Sequence, residues 1–336
     1  MKAYLIKKYG KKAKLHLEEV ATPVTKDDEV LVEVYSSGLN LLDTKIRSGE
    51  FKLILPYKLP LILGHDTAGV ITQAGKNVMH FKVGDHVYAR PADFHIGTFA
   101  QYIAINEKDL ALKPENISMD EAASVPLVAL TAWQALVELG NVQKGQKVFI
   151  QAGSGGVGTI AIQLAKYLGA TVATTASKKS FDALRNLGAD VLIDYKNEDF
   201  ENILKDYDLV LNSQDTATLK KSLNVLKPGG KLISISGPPT PEFARAIGAP
   251  WYLKTILSLI SSGIKKKAEK LGVHYSFLFM RADGKQLSQI GRLIESGEIK
   301  PVLDKTFSFM QTNEAMEYIE SGRAKGKVVI KIRENV

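Results

Sequence analysis

The chain has 336 residues, 45% hydrophobic and 24% charged, the balance of an ordinary soluble globular protein long enough for two domains. It contains no cysteine, which excludes disulfides, thiolate zinc sites, thiol nucleophiles and iron–sulfur clusters. Its 44 Lys and Arg against 36 Asp and Glu leave a net charge of +8, spread along the chain, which can steer an anionic cofactor or nucleic acid toward the surface.

The opening MKAYLIKKYG reads as a first strand; it lacks the apolar core and cleavage site of a signal peptide. Short β runs with Gly, Pro and Asp turns follow, among them Glu29–Tyr35, Gly69–Gln73, Asp85–Ala89 and Gly97–Ile105. Such punctuation predicts a barrel-like β domain over residues 1–125. Near Asp120 the texture changes to a helical pattern over Asp120–Ala135, interrupted at Pro126. Strands and helices then alternate, as in a doubly wound parallel sheet. The expected strands are Lys147–Ala152, Thr171–Thr175, Val191–Tyr195, Leu209–Asn212, Lys231–Ser236 and Tyr275–Met280. This dinucleotide domain is assigned residues 126–272, and residues 273–336 return to the first domain. The fold class is therefore α/β. The long connection 238–274 holds the apolar segment Trp251–Ile264 and a basic cluster, Lys265, Lys266 and Lys267. It reads as a lid or substrate wall, or as extra helices packed on the sheet. The apolar segment is too short and too interrupted to span a bilayer, so a cytoplasmic protein without membrane attachment is expected.

The most informative stretch is residues 147–176, KVFIQAGSGGVGTIAIQLAKYLGATVATTA. Gly153, Gly155 and Gly158 fit G-x-G-x-x-G between a strand and a helix. Glycines there permit a tight turn and let backbone N–H groups approach a pyrophosphate at a helix N-terminus, which makes Gly153, Ser154, Gly155, Gly156, Val157 and Gly158 the candidate cofactor-binding residues. NAD-binding units place an acid about 20 residues on, to hold the ribose 2′-hydroxyl. Here the second strand ends in Thr174, Thr175, Ala176, Ser177, Lys178 and Lys179. A hydroxyl and lysines suit a 2′-phosphate, which points to NADPH.

A barrel-like first domain, the AGSGGVG loop (152–158) and a closing GRAKGKVVI (322–330) resemble the medium-chain dehydrogenase/reductase superfamily, and within it the zinc-free quinone oxidoreductase and enone reductase branch. Further matching segments are GLNLLDTKIRSG (38–49), LPLILGHDTAGVI (59–71), VGDHVYA (83–89), GTFAQY (97–102), AASVPLVALTAWQAL (122–136) and NVLKPGGKLISISG (224–237). The resemblance implies a GroES-like β-barrel catalytic domain beside a Rossmann domain. It places Asn40 beside the nicotinamide, within reach of a substrate oxygen, and Thr131 against the nicotinamide. Asp43 resembles a residue that orders this loop, with a simple cap acid as the competing account. Tyr195 resembles the tyrosine packed at the 2′-phosphate, alongside Ser177 and Lys178. Arg323, Lys325 and Lys327 are expected to add positive charge to the cofactor cleft. A substrate-facing tyrosine in this branch follows the RSG segment, where this chain has Phe51; Tyr57 lies further on, and water is the alternative proton donor.

By the same resemblance, the zinc enzymes of the superfamily carry a cysteine ligand where this chain has Asn40 and a relay hydroxyl where it has Leu42. The histidine ligand survives as His65, beside a shortened acid, Asp66; the third ligand, a cysteine, has no counterpart. Catalytic zinc needs about three protein ligands, so no metal is expected and His65 reads as a hydrogen-bonded relic. Three functions stand. The first is NADPH-dependent, zinc-independent hydride transfer to quinones or α,β-unsaturated carbonyls. The second is an NADP-dependent alcohol or aldehyde oxidoreductase with residual zinc. The third is an NADPH-binding protein with an RNA- or partner-binding role and little turnover, which the lack of an aromatic-interleaved basic stripe argues against. A homodimer through the edge strand Tyr275–Met280 is expected.

Overall fold

The computed structural model describes residues 1–248 and 250–333. The chain packs as two compact units: residues 1–130 with the chain from 281 onward, and residues 131–280. The boundaries read from the sequence, after 125 and after 272, lie five and eight residues earlier than these.

The first unit holds a seven-stranded sheet and a three-stranded one. Strand Glu29–Leu39 is central to the larger sheet, pairing antiparallel with Asp66–Ala74, Tyr102–Asn106 and Lys327–Lys331. Its run of Val and Leu is buried on nearly every residue. Val30, Val32 and Val34 pack with Ile71, Val87, Ile103 and Ile105 in one core cluster. The stretch expected as one strand, 97–105, is divided. Gly97 takes a left-handed φ of 139°, and 97–99 bond the loop at Leu63 and Gly64 before regular pairing begins at Tyr102. Pro126 ends one helical segment and opens the next: the chain forms Met119–Ala123 and then Pro126–Trp133. A proline is tolerated at a first helical position because its missing N–H would be unpaired there anyway.

In the second unit, six parallel strands lie in the order Val191–Asp194, Thr171–Ala176, Lys147–Ile150, Tyr207–Asn212, Leu226–Ser234, His274–Phe277. The order reverses at Lys147–Ile150, as in a Rossmann fold, and ligands bind such sheets beyond the carboxyl ends of the strands at that reversal. Phe149, Val210 and Leu232 line the core of the sheet, with Ile264 and Ala268 packed against it. These last two belong to a helix, Trp251–Lys270, that follows a shorter one, Pro241–Ala246. The long connection thus folds as two helices, one of them docked on the sheet.

Candidate active site

In the first unit a closed polar cluster forms where strand Glu29–Leu39 ends. Asn40 is the extended N-cap of helix Leu41–Ser48, and Asp43 sits in its first turn. The Asn40 backbone N–H donates to Asp43 Oδ2 at 2.8 Å. Asp43 Oδ1 accepts from Gly64 N–H at 3.1 Å and lies 2.6 Å from His65 Nδ1. Asp43 therefore caps its helix and also binds the loop that carries His65.

Asp66, the first residue of the next strand, is the hub. Its Oδ1 accepts from Leu127 N–H at 2.7 Å. Its Oδ2 accepts from Asn40 Nδ2 and from Lys327 Nζ, each at 2.9 Å. Lys327 Nζ also donates to Asn40 Oδ1 at 2.6 Å. All five side chains are buried. A buried charge is tolerated when it is paired and hydrogen-bonded, and this ammonium is paired with Asp66 and fills two of its three donor positions. The Asn40 carboxamide is held at both ends, its Nδ2 also lying 3.4 Å from Gly38 O.

Among the described residues seven buried side-chain polar atoms have no hydrogen-bond partner, and two of them are His65 Nε2 and the Tyr57 hydroxyl. A buried group left unpaired costs about 1–3 kcal/mol, so each such orphan in a native protein asks for an explanation. The Tyr57 ring lies 5.3 Å from Phe94, tilted by 47°. Phe94 has a φ of 67°, a strained left-handed conformation for a non-glycine residue and one that concentrates at functional sites. Burial pushes the Tyr57 phenol well above its ordinary range, and the nearby Asp93 and Asp43 carboxylates add to this, while the Phe94 backbone N–H beside the phenol oxygen and Arg90 oppose it. The phenol is thus kept protonated, within electrostatic reach of Asp43.

The arrangement does not fit the zinc of the wider superfamily. Asn40 Oδ1 is engaged by the Lys327 ammonium and His65 offers one free nitrogen. Among the described residues no group of three His, Cys, Asp or Glu is placed to hold a metal ion.

The second unit carries the glycine loop. Ala152 adopts a φ of 52° to make the turn. A Cβ on Gly153 would come within 2.2 Å of Thr174 Oγ1, and one on Gly158 within 2.4 Å of Ala152 O. Gly155 differs: its Cβ would meet only Ala152 O, at 3.4 Å. Two glycines are thus demanded by packing, while the third keeps space open before helix Gly156–Tyr167. That helix begins at Gly155 with no side-chain cap, leaving the first N–H groups, from Gly156, Val157 and Gly158, for an anion. Strands Thr171–Ala176 and Val191–Asp194 end in register, Ala176 opposite Asp194. Ser177 and Lys178 therefore follow one strand and Tyr195 its neighbour, with Lys178 and Tyr195 exposed. Ser154 is half-buried in the loop, Thr131 is buried on helix Pro126–Trp133, and Lys325 is exposed in the turn before the last strand.

Lys327 departs from the sequence reading, which grouped it with Arg323 and Lys325 as cleft charge. It is buried within the first unit. The available signal was a lysine opening the strand KVVIK, whose next three residues are fully buried; a charge at such a position needs a buried partner.

A family model described as an alcohol dehydrogenase GroES-like domain matches residues 26–115, and one described as a zinc-binding dehydrogenase matches 187–330. The chain is 35% identical to the mitochondrial NAD(P)H oxidoreductase RTN4IP1 of Danio rerio, over 100% of this chain and 92% of that one. It is also 35% identical to a chloroplastic NADPH-dependent alkenal/one oxidoreductase of Arabidopsis thaliana, over 98% of this chain and 79% of that one. The solved quinone oxidoreductase of Coxiella burnetii superposes with a TM-score of 0.86 at 29% identity, covering 99% of each chain. The chain belongs to the medium-chain dehydrogenase/reductase superfamily, in the branch of quinone oxidoreductases and enone reductases.

Proposed function

We propose that this protein is an NADPH-dependent reductase of quinones or α,β-unsaturated carbonyls that works without a catalytic zinc. The observation that carries this reading is Lys327, whose buried ammonium bonds Asp66 and engages Asn40, the residue at a zinc-ligand position of the wider superfamily. With no Lewis acid to polarise a plain carbonyl, the acceptor must already be electrophilic. Relatives named for quinones and alkenals support that substrate class.

The glycine loop Gly153–Gly158 would hold the cofactor pyrophosphate, and Ser177, Lys178 and Tyr195 its 2′-phosphate. The nicotinamide, when bound, supplies the hydride. The protein's own task is to orient the acceptor and to stabilise the negative charge that develops on its oxygen. Tyr57, buried and protonated with an unused hydroxyl hydrogen, is the donor suited to that oxygen. Asn40, Asp43 and Lys327 hold the loops around it rigid. The protein acts as a homodimer in this reading, because strand His274–Phe277 has a neighbour on one side only.

The test is NADPH oxidation against a naphthoquinone, an alkenal, a cyclic enone and a simple aldehyde, before and after chelation. Turnover of quinone or enone that survives chelation is expected, lowered about a hundredfold or more in Tyr57→Phe, the lower range for losing one oxyanion donor being about 10²-fold. Activity confined to the aldehyde, lost on chelation and restored by zinc, would overturn the proposal.

A further inference from the structure

Helix Trp251–Lys270 has two apolar faces where a docked helix needs one. Leu257, Ser261, Ile264 and Ala268 form its buried stripe. Outside that stripe Tyr252, Ile256, Leu259 and Ile260 are exposed, and Trp251 at the helix start is also exposed; Leu259 is 71% and Trp251 77% exposed. Positions 252, 256, 259 and 260 repeat every three to four residues, so they share a side. The same outward side continues through Lys266 and Lys270, both exposed. Lys254, Lys265 and Lys267 also lie on this helix, whose one acid is Glu269. The outer face therefore passes from aromatic and aliphatic to basic along a helix about 30 Å long.

We infer that this face is a docking surface for an anionic lipid bilayer. Each part of the pattern suits that occupant. Leu and Ile side chains enter the acyl boundary, Trp and Tyr settle at headgroup level, and lysines neutralise lipid charge. The buried stripe anchors the helix, through Ile264 and Ala268, to the core of its sheet, so the exposed side chains are presented along its outer surface, as an interfacial helix requires. Among the described residues no helix is long and apolar enough to cross a membrane, so the contact lies on the surface. The overall charge of +8 adds long-range attraction toward an anionic surface. A second copy suits the face less well. Parallel pairing of two such helices would set lysines against lysines, and antiparallel pairing would bury lysines against aliphatic side chains; both are costly.

The experiment is co-sedimentation of the full chain with vesicles of phosphatidylcholine alone or mixed with phosphatidylglycerol. Partition onto the anionic vesicles is expected, weakening as salt is raised. Leu259→Asp/Ile260→Asp and Lys266→Glu/Lys270→Glu should each lower it by about tenfold or more. These side chains face solvent, so unchanged circular dichroism and melting temperature serve as the folding control. Absence of wild-type partition onto anionic vesicles, or partition that both double variants retain, would refute the inference. So would light scattering that shows Leu259→Asp/Ile260→Asp converting an oligomer to a smaller species, which would make the face a protein interface.

Discussion

Replacing Lys327 by methionine keeps the length of the side chain and removes its charge from a sealed site. The ammonium has two partners, Asn40 Oδ1 at 2.6 Å and Asp66 Oδ2 at 2.9 Å. Without it the amide oxygen has no donor and the Asp66 carboxylate is a buried anion. Breaking a buried pair from one side costs about 3–5 kcal/mol. Asp66 would keep two donors, Leu127 N–H and Asn40 Nδ2, which puts the cost near the lower end of that range, about 3 kcal/mol. For a unit of this size, about 2–4 °C per kcal/mol gives a fall in melting temperature of about 6–12 °C. Thermal unfolding followed by calorimetry reads this directly. Adding Asp66→Asn removes the stranded anion and should recover more than half of the loss. A Lys327→Met protein melting within about 2 °C of wild type would refute the reasoning, because the ammonium would then be dispensable to a cluster it is said to hold together.

Gly155→Ala should fold and melt normally, since its new methyl meets only Ala152 O at 3.4 Å, yet lose NADPH binding by titration; Gly158→Ala should instead lower the melting temperature, its methyl arriving 2.4 Å from the same oxygen. Lys178→Ala should shift preference from NADPH toward NADH by about tenfold, one charge-assisted contact being worth about 1.5–3 kcal/mol, read as the ratio of kcat/KM for the two cofactors. Because the phenol of Tyr57 has its pKa raised above the ordinary 10.0, the unfolded chain ionises before the folded one. The contribution is therefore fully present below that value and lost as pH rises past it. Denaturant titrations should accordingly show the wild type losing stability relative to Tyr57→Phe above pH 10 but not at neutrality. Light scattering should give the mass of a dimer, and a monomer at micromolar concentration would remove the edge-strand pairing.

The dinucleotide unit was the more legible half because its signals are local. Strand, glycine turn and helix are consecutive in 147–167, and what each glycine must avoid lies within a few residues or on the adjacent strand, as Ala152 O and Thr174 do. The polar cluster was harder to read because its members are distant in sequence. Asn40 and His65 were recognisable by motif, but their bonds to Lys327 and Asp43 depend on which strands become neighbours. Tyr57 was found only by its place after a motif; that its hydroxyl is buried with its hydrogen unused is a property of packing with Phe94. Helix Trp251–Lys270 misleads in another way. Its apolar run is longer than its buried stripe, so hydrophobicity alone could not say which face meets the sheet.

The strand Lys327–Lys331 also has a consequence for synthesis. It lies between Leu303–Ser308 and Glu29–Leu39, pairing Val328 with Leu39. Asn40 and Lys327 are 287 residues apart, and the whole second unit is made between them. A nascent chain therefore carries an open edge on Glu29–Leu39, and an uncompensated Asp66, throughout that interval. Chains cut short before Gly326 lose the covering strand and the cation together. The same few residues thus distinguish a finished molecule from a truncated one, and incomplete products would present chaperones and proteases with an exposed strand edge.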